Sequence, residues 1–363
     1  MNLSCGIVGL PNVGKSTIYN ALTAAQVESG SYPFSTTEPN LAVIEVPDKN
    51  LEILPRLIET KKVIPAAVQI VDIAGLPEGA SRGEGMGNRF LAVIREVDAI
   101  MHIVQCFENP HVVRETPVDP AKDMEVLELE LALADLETVT RGVERVSKKA
   151  RTGDKASMFE QQVYERAKAL LEEGTQLRTV PWKTEELLAI QPLCLLTMKP
   201  VLYVANVGDD DLTGEGAHGA AVAQHAESMS SEWIPLCGDL ECELRRMESE
   251  DREVFMAEYG MKELGLARLI RAAYIVLGLQ TFYTVGEKEI RAWTIAAGDT
   301  APVAAGKIHT DFLKGFIRAE VYSVDDLIEY KTEAAIKAAG KMRTEGRDYV
   351  MHDRDVCHFL IGR

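Results

Sequence analysis

Eight residues, Gly9-Leu10-Pro11-Asn12-Val13-Gly14-Lys15-Ser16, constrain this chain more than any other feature. Leu3, Cys5, Ile7 and Val8 predict a short buried strand before them, and Ile18 and Leu22 open an amphipathic helix after them. A glycine-rich turn between strand and helix points successive N–H groups at a chain of phosphates, at the positive end of the helix. Lys15 reaches the β- and γ-phosphates, and the Ser16 hydroxyl is a ligand for Mg²⁺. Gly9, Pro11, Asn12, Val13, Gly14, Lys15, Ser16 and Thr17 are therefore the candidate triphosphate-binding residues. The fold class that follows is α/β, a doubly wound, mostly parallel sheet of the P-loop NTPase type.

A second segment supplies the other half of such a centre. Val68 to Gly75 reads as an apolar strand ending in Asp72-Ile73-Ala74-Gly75. Asp72 would orient Mg²⁺, and the Gly75 N–H would approach the γ-phosphate. Between the two motifs lies Tyr32-Pro33-Phe34-Ser35-Thr36-Thr37-Glu38-Pro39-Asn40, in which Thr36 is the candidate metal-sensing hydroxyl, with Thr37 equally allowed by spacing. Four glycines, at positions 79, 83, 85 and 87, follow in a loop that a ligand could order. Leu76 occupies the position where small GTPases carry the glutamine that orients water, and it cannot hydrogen-bond.

Two more buried strands, Ile100 to Phe107 and Pro200 to Val207, would be neighbours in that sheet, yet about ninety residues separate them. The intervening 121–199 is expected to be a helical coiled-coil hairpin. Its seam would run through Leu129, Leu133, Leu136, Thr140, Val143, Ser147 and Ala150, with a tip at Gly153-Asp154 and a return through Phe159, Val163, Ala167 and Leu170. The tip carries Arg145, Lys148, Lys149, Arg151 and Lys155, either a solvated end or a docking arm for an acidic partner. Asn206-Val207-Gly208-Asp209 stands where GTPases carry Asn-Lys-x-Asp, with Val207 replacing the lysine that covers the base. Asn206, Val207, Asp209 and Gly238 are the base-side candidates. Beyond residue 280 the pattern becomes strand-rich: a hairpin, a helix through Ala305, Ile308 and Phe312, a strand at Phe316 to Tyr322, a helix at Val324 to Ala339 and two closing strands, arranged like ubiquitin. The expected domains are 1–279, interrupted by 121–199, and 280–363.

Charge and composition exclude several classes. The chain has 363 residues and a net charge of −17, which argues against coating nucleic acid by electrostatics alone. Residues 280–363 hold 12 Lys and Arg against 13 Asp and Glu, so the acidity lies in the remainder and any RNA contact must be local. No DNA partner is expected. Six scattered cysteines without a C-x-x-C pair, no apolar run long enough to span a bilayer and no basic leader before the first strand give a cytoplasmic expectation, with no membrane association.

Taken together, the loop from Cys5 to Thr17, Tyr32-Pro33-Phe34, Asp72-Ile73-Ala74-Gly75-Leu76 and the glycines up to Gly87-Asn88 resemble the Obg-related nucleotide-binding proteins. The long insertion and the missing lysine at Val207 narrow the resemblance to the YchF group, the Obg-like ATPases. Gly306-Lys307-Ile308-His309-Thr310-Asp311-Phe312 with Gly315-Phe316 and Gly340-Lys341-Met342-Arg343 resemble that group's C-terminal TGS domain, a β-grasp fold. The resemblance implies a Mg²⁺-dependent ATPase of translation-factor type that binds ribosomes, their large subunit and its RNA. Asn12 resembles the asparagine that coordinates K⁺ in potassium-stimulated relatives. The group often carries glutamate at the position of Asp209, and a histidine after Phe107-Glu108-Asn109 as a hydrolysis candidate. Here that stretch is one residue shorter, leaving His111 and Arg114 as substitutes, alongside Lys15, Gly75 and Leu76 in the catalytic set.

The leading expectation is an ATPase acting as a ribosome-associated switch that hydrolyses slowly. A GTP-preferring translation GTPase differs only in base choice. A small-molecule kinase would need an arginine-rich acceptor lid, and none is evident. A nucleotide-binding adaptor with negligible hydrolysis fits the lost glutamine.

Overall fold

The computed structural model describes residues 3–23, 40–73, 75, 86–108 and 117–362. Thr36, Leu76, His111 and Arg114, together with Thr37 and most of the glycine loop, lie outside the described residues. The chain divides into two compact units, one of residues 1–42 and 69–269, the other of 43–68 and 270–363.

The elements preceding the insertion are β1 (Ser4–Val8), α1 (Lys15–Thr23), β2 (Leu41–Glu45), α2 (Asn50–Leu57), β3 (Val63–Ile64), β4 (Ala67–Asp72), α3 (Met86–Glu96) and β5 (Ala99–Cys106). After α4 (Pro120–Ala150), α5 (Lys155–Glu172) and α6 (Thr184–Ile190) come β6 (Val201–Val207), α7 (Ala217–Ser228), β7 (Glu232–Leu236), α8 (Gly238–Arg246), α9 (Ser249–Glu258) and α10 (Gly265–Val276). The first sheet runs β2-β4-β1-β5-β6-β7. β1 is parallel to both β4 and β5, and β5-β6-β7 continue in parallel. β1, β5 and β6 are buried along their whole length, as strands covered on both faces must be. β5 and β6 are neighbours despite the long insertion between them, as expected.

The insertion departs from the expected packing. Aspartate starts both long helices: Asp119 accepts from the Lys122 N–H at 3.2 Å, and Asp154 from the Ser157 N–H at 3.0 Å. Gly153, at φ 85°, makes the turn between them. The expected seam is out of phase at its start, however. Leu129 and Leu133 are 57% and 41% exposed, while Met124, Leu127, Leu131, Val139 and Val146 face inward. Two carboxylates explain the difference, because Glu128 and Asp135 occupy the buried stripe. Asp135, fully buried, accepts from the N–H groups of Leu196 and Thr197 and from the Thr197 hydroxyl, at 2.7–2.9 Å. It thereby fixes the chain where it turns back toward β6. The core of the arm also takes in Leu177, Ile190, Leu193 and Leu195, so the return segment packs with the two long helices. Phe159 of the expected return seam is 37% exposed, whereas Val163 and Ala167 are buried.

Glu128 is the second anchor. Its Oε1 accepts from the Tyr203 hydroxyl of β6 and from Arg178 Nη2 at 3.0 Å, with His225 Nε2 at 3.1 Å. Burial pushes its carboxyl up, but the hydrogen bonds from His225 and Tyr203 and the attraction of Arg178 outweigh burial and hold it below the ordinary 4.5. Beneath this cluster, His102 of β5 is kept neutral, pushed down to about 3 by burial.

In the second unit, β8 (Leu279–Thr284) and β9 (Ile290–Ala296) form the expected antiparallel hairpin, followed by α11 (Ala301–Ile308), α12 (Thr310–Gly315), β10 (Phe316–Ser323), α13 (Val324–Tyr330), α14 (Glu333–Ala338), β11 (Arg343–Glu345) and β12 (Asp355–Ile361). The sheet runs β11-β10-β12-β8-β9-β3. Both expected helices are broken. His309 interrupts the one through Phe312, and Lys331, at φ 67°, ends α13 in a left-handed turn before Thr332 caps α14. The boundary at 279/280 also needs correction, since residues 43–68 group with the C-terminal unit. There β3 pairs in parallel with β9, Lys61 N–H donates to the Glu287 carbonyl, and the Tyr283 hydroxyl donates to Asp48 at 2.6 Å. Among the described residues, no helix is long and apolar enough to cross a membrane.

The Glu128 cluster predicts a stability effect with a defined pH dependence. Glu128→Ala leaves Arg178 buried without its carboxylate and should cost about 3–5 kcal/mol at neutral pH. Tyr203→Phe should cost about 1 kcal/mol. A carboxyl lowered by folding stabilises the fold above its unfolded value and loses that contribution as pH falls. In urea titrations the gap between wild type and Glu128→Ala should thus be full at pH 7 and shrink below pH 4.5. A gap independent of pH would show that the Glu128 charge is not what holds the cluster.

Candidate nucleotide-binding site

The phosphate loop leaves the buried end of β1 and enters α1 at Lys15, as its sequence demands. Asn12 adopts φ 65° and Gly14 φ 93°, two left-handed residues that curl the backbone. A Cβ on Gly14 would stand 2.2 Å from Asn206 Nδ2, and one on Gly9 would stand 2.5 Å from the Ile103 carbonyl oxygen. Both glycines are therefore required by close approach.

Asn206 has a more definite task than a base-side residue. It sits near the end of β6, 4% exposed, and donates from Nδ2 to the Val13 carbonyl at 2.9 Å. Its Oδ1 accepts from the Gly238 N–H at 3.0 Å. One amide side chain thus braces the phosphate loop against the turn that opens α8. Gly238, placed on the base side by the sequence, is the other end of that brace as well as part of the pocket wall.

Lys15, Asp72 and Gly75 come together, as the two motifs predict. Lys15 is buried, and its ammonium donates to the Leu10 carbonyl at 2.6 Å. Burial lowers the Lys15 amine to about 8, against the attraction of Asp72. Burial likewise raises the Asp72 carboxyl, against the attraction of Lys15. A Cβ on Gly75 would lie 3.1 Å from Lys15 Nζ, so the backbone at Gly75 borders the ammonium. Pro11, Asn12 and Ser16 are exposed along the loop, Thr17 is half-buried behind them, and Val13 is buried beneath them. Among the described residues no cluster of His, Cys, Asp and Glu forms a ready-made metal cage. Ser16 and Asp72 nonetheless offer one hydroxyl and one carboxylate, hard oxygen donors of the kind that would suit Mg²⁺.

Beside the brace, a cavity of about 850 Å³ opens between the ends of β5 and β6 and the start of α8. Val207 and Asp209 line it, Val207 buried in the strand end and Asp209 exposed at the rim. Phe107, Leu240, Phe255 and Tyr259 also line it and were not anticipated. Phe255 and Tyr259 stack at 4.5 Å between ring centroids, 14° from parallel. Phe255 lies in α9 and Tyr259 directly follows its last residue, so their four-residue spacing was the available signal. The rim is acidic, with Glu108, Asp210, Asp239 and Glu243 beside Asp209. Asp211 is already engaged, since its carboxylate accepts from the N–H groups of Glu215 and Gly216, each at 3.0 Å.

Comparison with known proteins identifies the family. Residues 279–362 match the YchF-GTPase_C family model, described as a protein of unknown function, and residues 4–140 match MMR_HSR1, described as a 50S ribosome-binding GTPase. The Ribosome-binding ATPase YchF of Escherichia coli O157:H7 is 49% identical over 362 residues, covering 99% of each chain. Its Bacillus subtilis counterpart of the same name is 45% identical over 362 residues, again covering 99% of each. The solved structure of the Schizosaccharomyces pombe YchF GTPase superposes with a TM-score of 0.89 at 36% identity, over 99% of this chain and 98% of that one. Phosphate loop, arm and C-terminal sheet all fall within these full-length matches, and the chain belongs to the YchF family.

Proposed function

We propose that this protein is a Mg²⁺-dependent ATPase that hydrolyses ATP slowly, binds GTP less well, and works as a ribosome-associated nucleotide switch. The observation that carries the proposal is the buried Lys15 ammonium, bordered by Asp72 and Gly75 at the mouth of a loop braced by Asn206. The association with ribosomes and the choice of ATP are supported by the names of the bacterial relatives. Residues 280–363 are proposed to be the TGS domain, and the arm to be a coiled-coil hairpin inserted in the nucleotide unit. We place the protein in the cytoplasm.

Each residue has a physical task. Lys15 supplies positive charge to the β- and γ-phosphates, and the loop N–H groups from Val13 to Thr17 hold their oxygens. Ser16 and Asp72, with Thr36 as the third candidate, would hold Mg²⁺, which when bound neutralises charge on the β- and γ-oxygens. The exposed Asn12 offers an amide oxygen to K⁺. Leu76 withholds the hydrogen bond that a glutamine would give the attacking water, so hydrolysis is slow unless His111, Arg114 or a ribosomal group supplies it. Val207, Phe107 and Leu240 provide apolar surface for a purine ring. One observation favours GTP as a second reading: Asp209 stands exposed at the rim, where guanine's N1–H and 2-amino group would give it two charged hydrogen bonds, roughly 1.5–3 kcal/mol each.

Lys15→Ala and Ser16→Ala should each lower the turnover of ATP by about 10²-fold or more, the first by removing positive charge from the transition state and the second by removing a hydroxyl that would hold Mg²⁺. Either variant hydrolysing ATP at the wild-type rate would remove the site assignment.

Hydrolysis should run faster in K⁺ than in Na⁺, and Leu76→Gln should raise it. Equal rates in the two salts would eliminate the cation role of Asn12, and an unchanged Leu76→Gln would show that water positioning does not limit turnover.

Titrations should give ATP the higher affinity, with GTP detectable, and Asp209→Glu should widen the ratio. GTP bound at least tenfold more tightly by the wild type would establish the second reading instead.

A further inference from the structure

In GTPases the lysine of Asn-Lys-x-Asp lays its stem over the face of the base, and here that cover is missing. Val207 replaces the lysine, is 2% exposed, and is too short to lie across a ring. Asn206 is occupied at both ends, by the Val13 carbonyl and the Gly238 N–H. Asp209 stands at the rim, where a carboxylate meets the edge of a base rather than its face. A purine in the cavity therefore needs another element to cover its ring.

The end of α9 is built for that task. None of the ten residues of α9 is buried, and Phe255 and Met256 pack only partly against the core that holds Leu240 and Leu244. Tyr259, directly after the last residue of α9, is 49% exposed and lines the cavity beside Phe255. Leaving half of an aromatic side chain in water forgoes much of the apolar burial that such a residue offers. The ring is nonetheless held in place. It lies on Phe255, with 4.5 Å between centroids and 14° from parallel. Its backbone closes the helix: the Tyr259 N–H donates to the Phe255 carbonyl at 3.2 Å, the Gly260 N–H to Ala257 at 3.2 Å, and the Met261 N–H to Met256 at 2.8 Å. The last two bonds, with Gly260 at φ 66°, are the Schellman ending of a helix. A ring fixed by a second ring and by a helix cap, with a cavity beside it, is a preorganised stacking surface. Charge selects what enters. Asp239 and Glu243 on the rim disfavour phosphate, so the part of a nucleotide that suits this cavity is its uncharged base.

We propose that Tyr259, seated on Phe255, stacks on the base and makes the site select purines over pyrimidines. This rests on the nucleotide-binding reading of the site and adds the residue that takes over the cover a lysine gives elsewhere. Stacking uses the π-face that every base has. Tyr259 thus acts alike on adenine and guanine, leaving the choice between them to Asp209 and the strand end. It acts less on the single, smaller ring of cytosine.

The test is calorimetric titration of wild type, Tyr259→Ala, Tyr259→Leu and Tyr259→Phe with ATP, GTP and CTP in Mg²⁺. Removing the ring, in the alanine and leucine variants, should weaken ATP and GTP each by roughly tenfold, within the range that alanine substitution gives for one stacked base. CTP should weaken by about threefold or less, so that the preference for purines narrows. Tyr259→Phe keeps the ring face and should bind all three as wild type does. Leucine keeps apolar bulk at the helix end, so a loss shared by the two ring-free variants marks the ring rather than a displaced α9. Purine affinity unchanged in both ring-free variants overturns the assignment of Tyr259 alone. Equal losses for ATP and CTP, or a loss in Tyr259→Phe as large as in Tyr259→Ala, overturn stacking on the base. Wild type that binds none of the three nucleotides overturns the nucleotide reading itself, and this inference with it.

Discussion

The contact on which the nucleotide centre depends is the pair of hydrogen bonds made by Asn206. Gly14 packs so closely against that amide that no side chain fits between them. Val13 and Gly238 are held at its two ends. A phosphate loop works by presenting N–H groups in a fixed curve, and a curve made of left-handed residues is costly unless its surroundings determine it. Here one side chain from β6 supplies that determination and braces the wall of the adjoining cavity at the same time. The glycine-rich loop and the cavity wall therefore share a single structural support.

The two motifs proposed to sense the γ-phosphate are separated in sequence by a segment with a different allegiance. Residues 43–68 lie between the Thr36 loop and Asp72 in sequence, yet β3 completes the edge of the C-terminal sheet and Asp48 is held by Tyr283. Asp72 itself returns to the nucleotide unit, its N–H donating to the Asn40 carbonyl at 2.9 Å. The polypeptide thus contributes residues 43–68 to the second unit between the two motifs proposed to sense the γ-phosphate. The Glu128 and Asp135 anchors do a comparable job for the arm, fixing α4 to β6 and to the turn that precedes it. Buried carboxylates with all their partners present set geometry more sharply than apolar contacts would.

Legibility in the sequence followed the range of the interactions. Phosphate loop, Asp72 and the strand–helix alternation were readable because their chemistry lies within a few consecutive residues. The Asn206 position was found through its spacing, but its bracing role was not, because its partners are about thirty and two hundred residues away. The arm's seam was misplaced at Leu129 and Leu133 because Glu128 and Asp135 look like surface residues until Tyr203, Arg178 and Thr197 are brought to them. The C-terminal boundary missed residues 43–68 for the same reason, since a two-residue strand pairing with β9 leaves no periodicity to detect. His309 and Lys331 broke helices whose apolar spacing continued through them.

The central claim is that the braced loop and the adjoining cavity form one site for a purine nucleoside triphosphate. A crystal structure of the protein with Mg²⁺ and a non-hydrolysable ATP analogue tests this most directly. The account predicts the γ-phosphate beside Lys15, Asp72 and Gly75, with the base against Val207, Phe107 and Leu240 and the Asn206 hydrogen bonds intact. A nucleotide bound away from the loop, or a base held outside the cavity with Asn206 released from Val13 and Gly238, would contradict it.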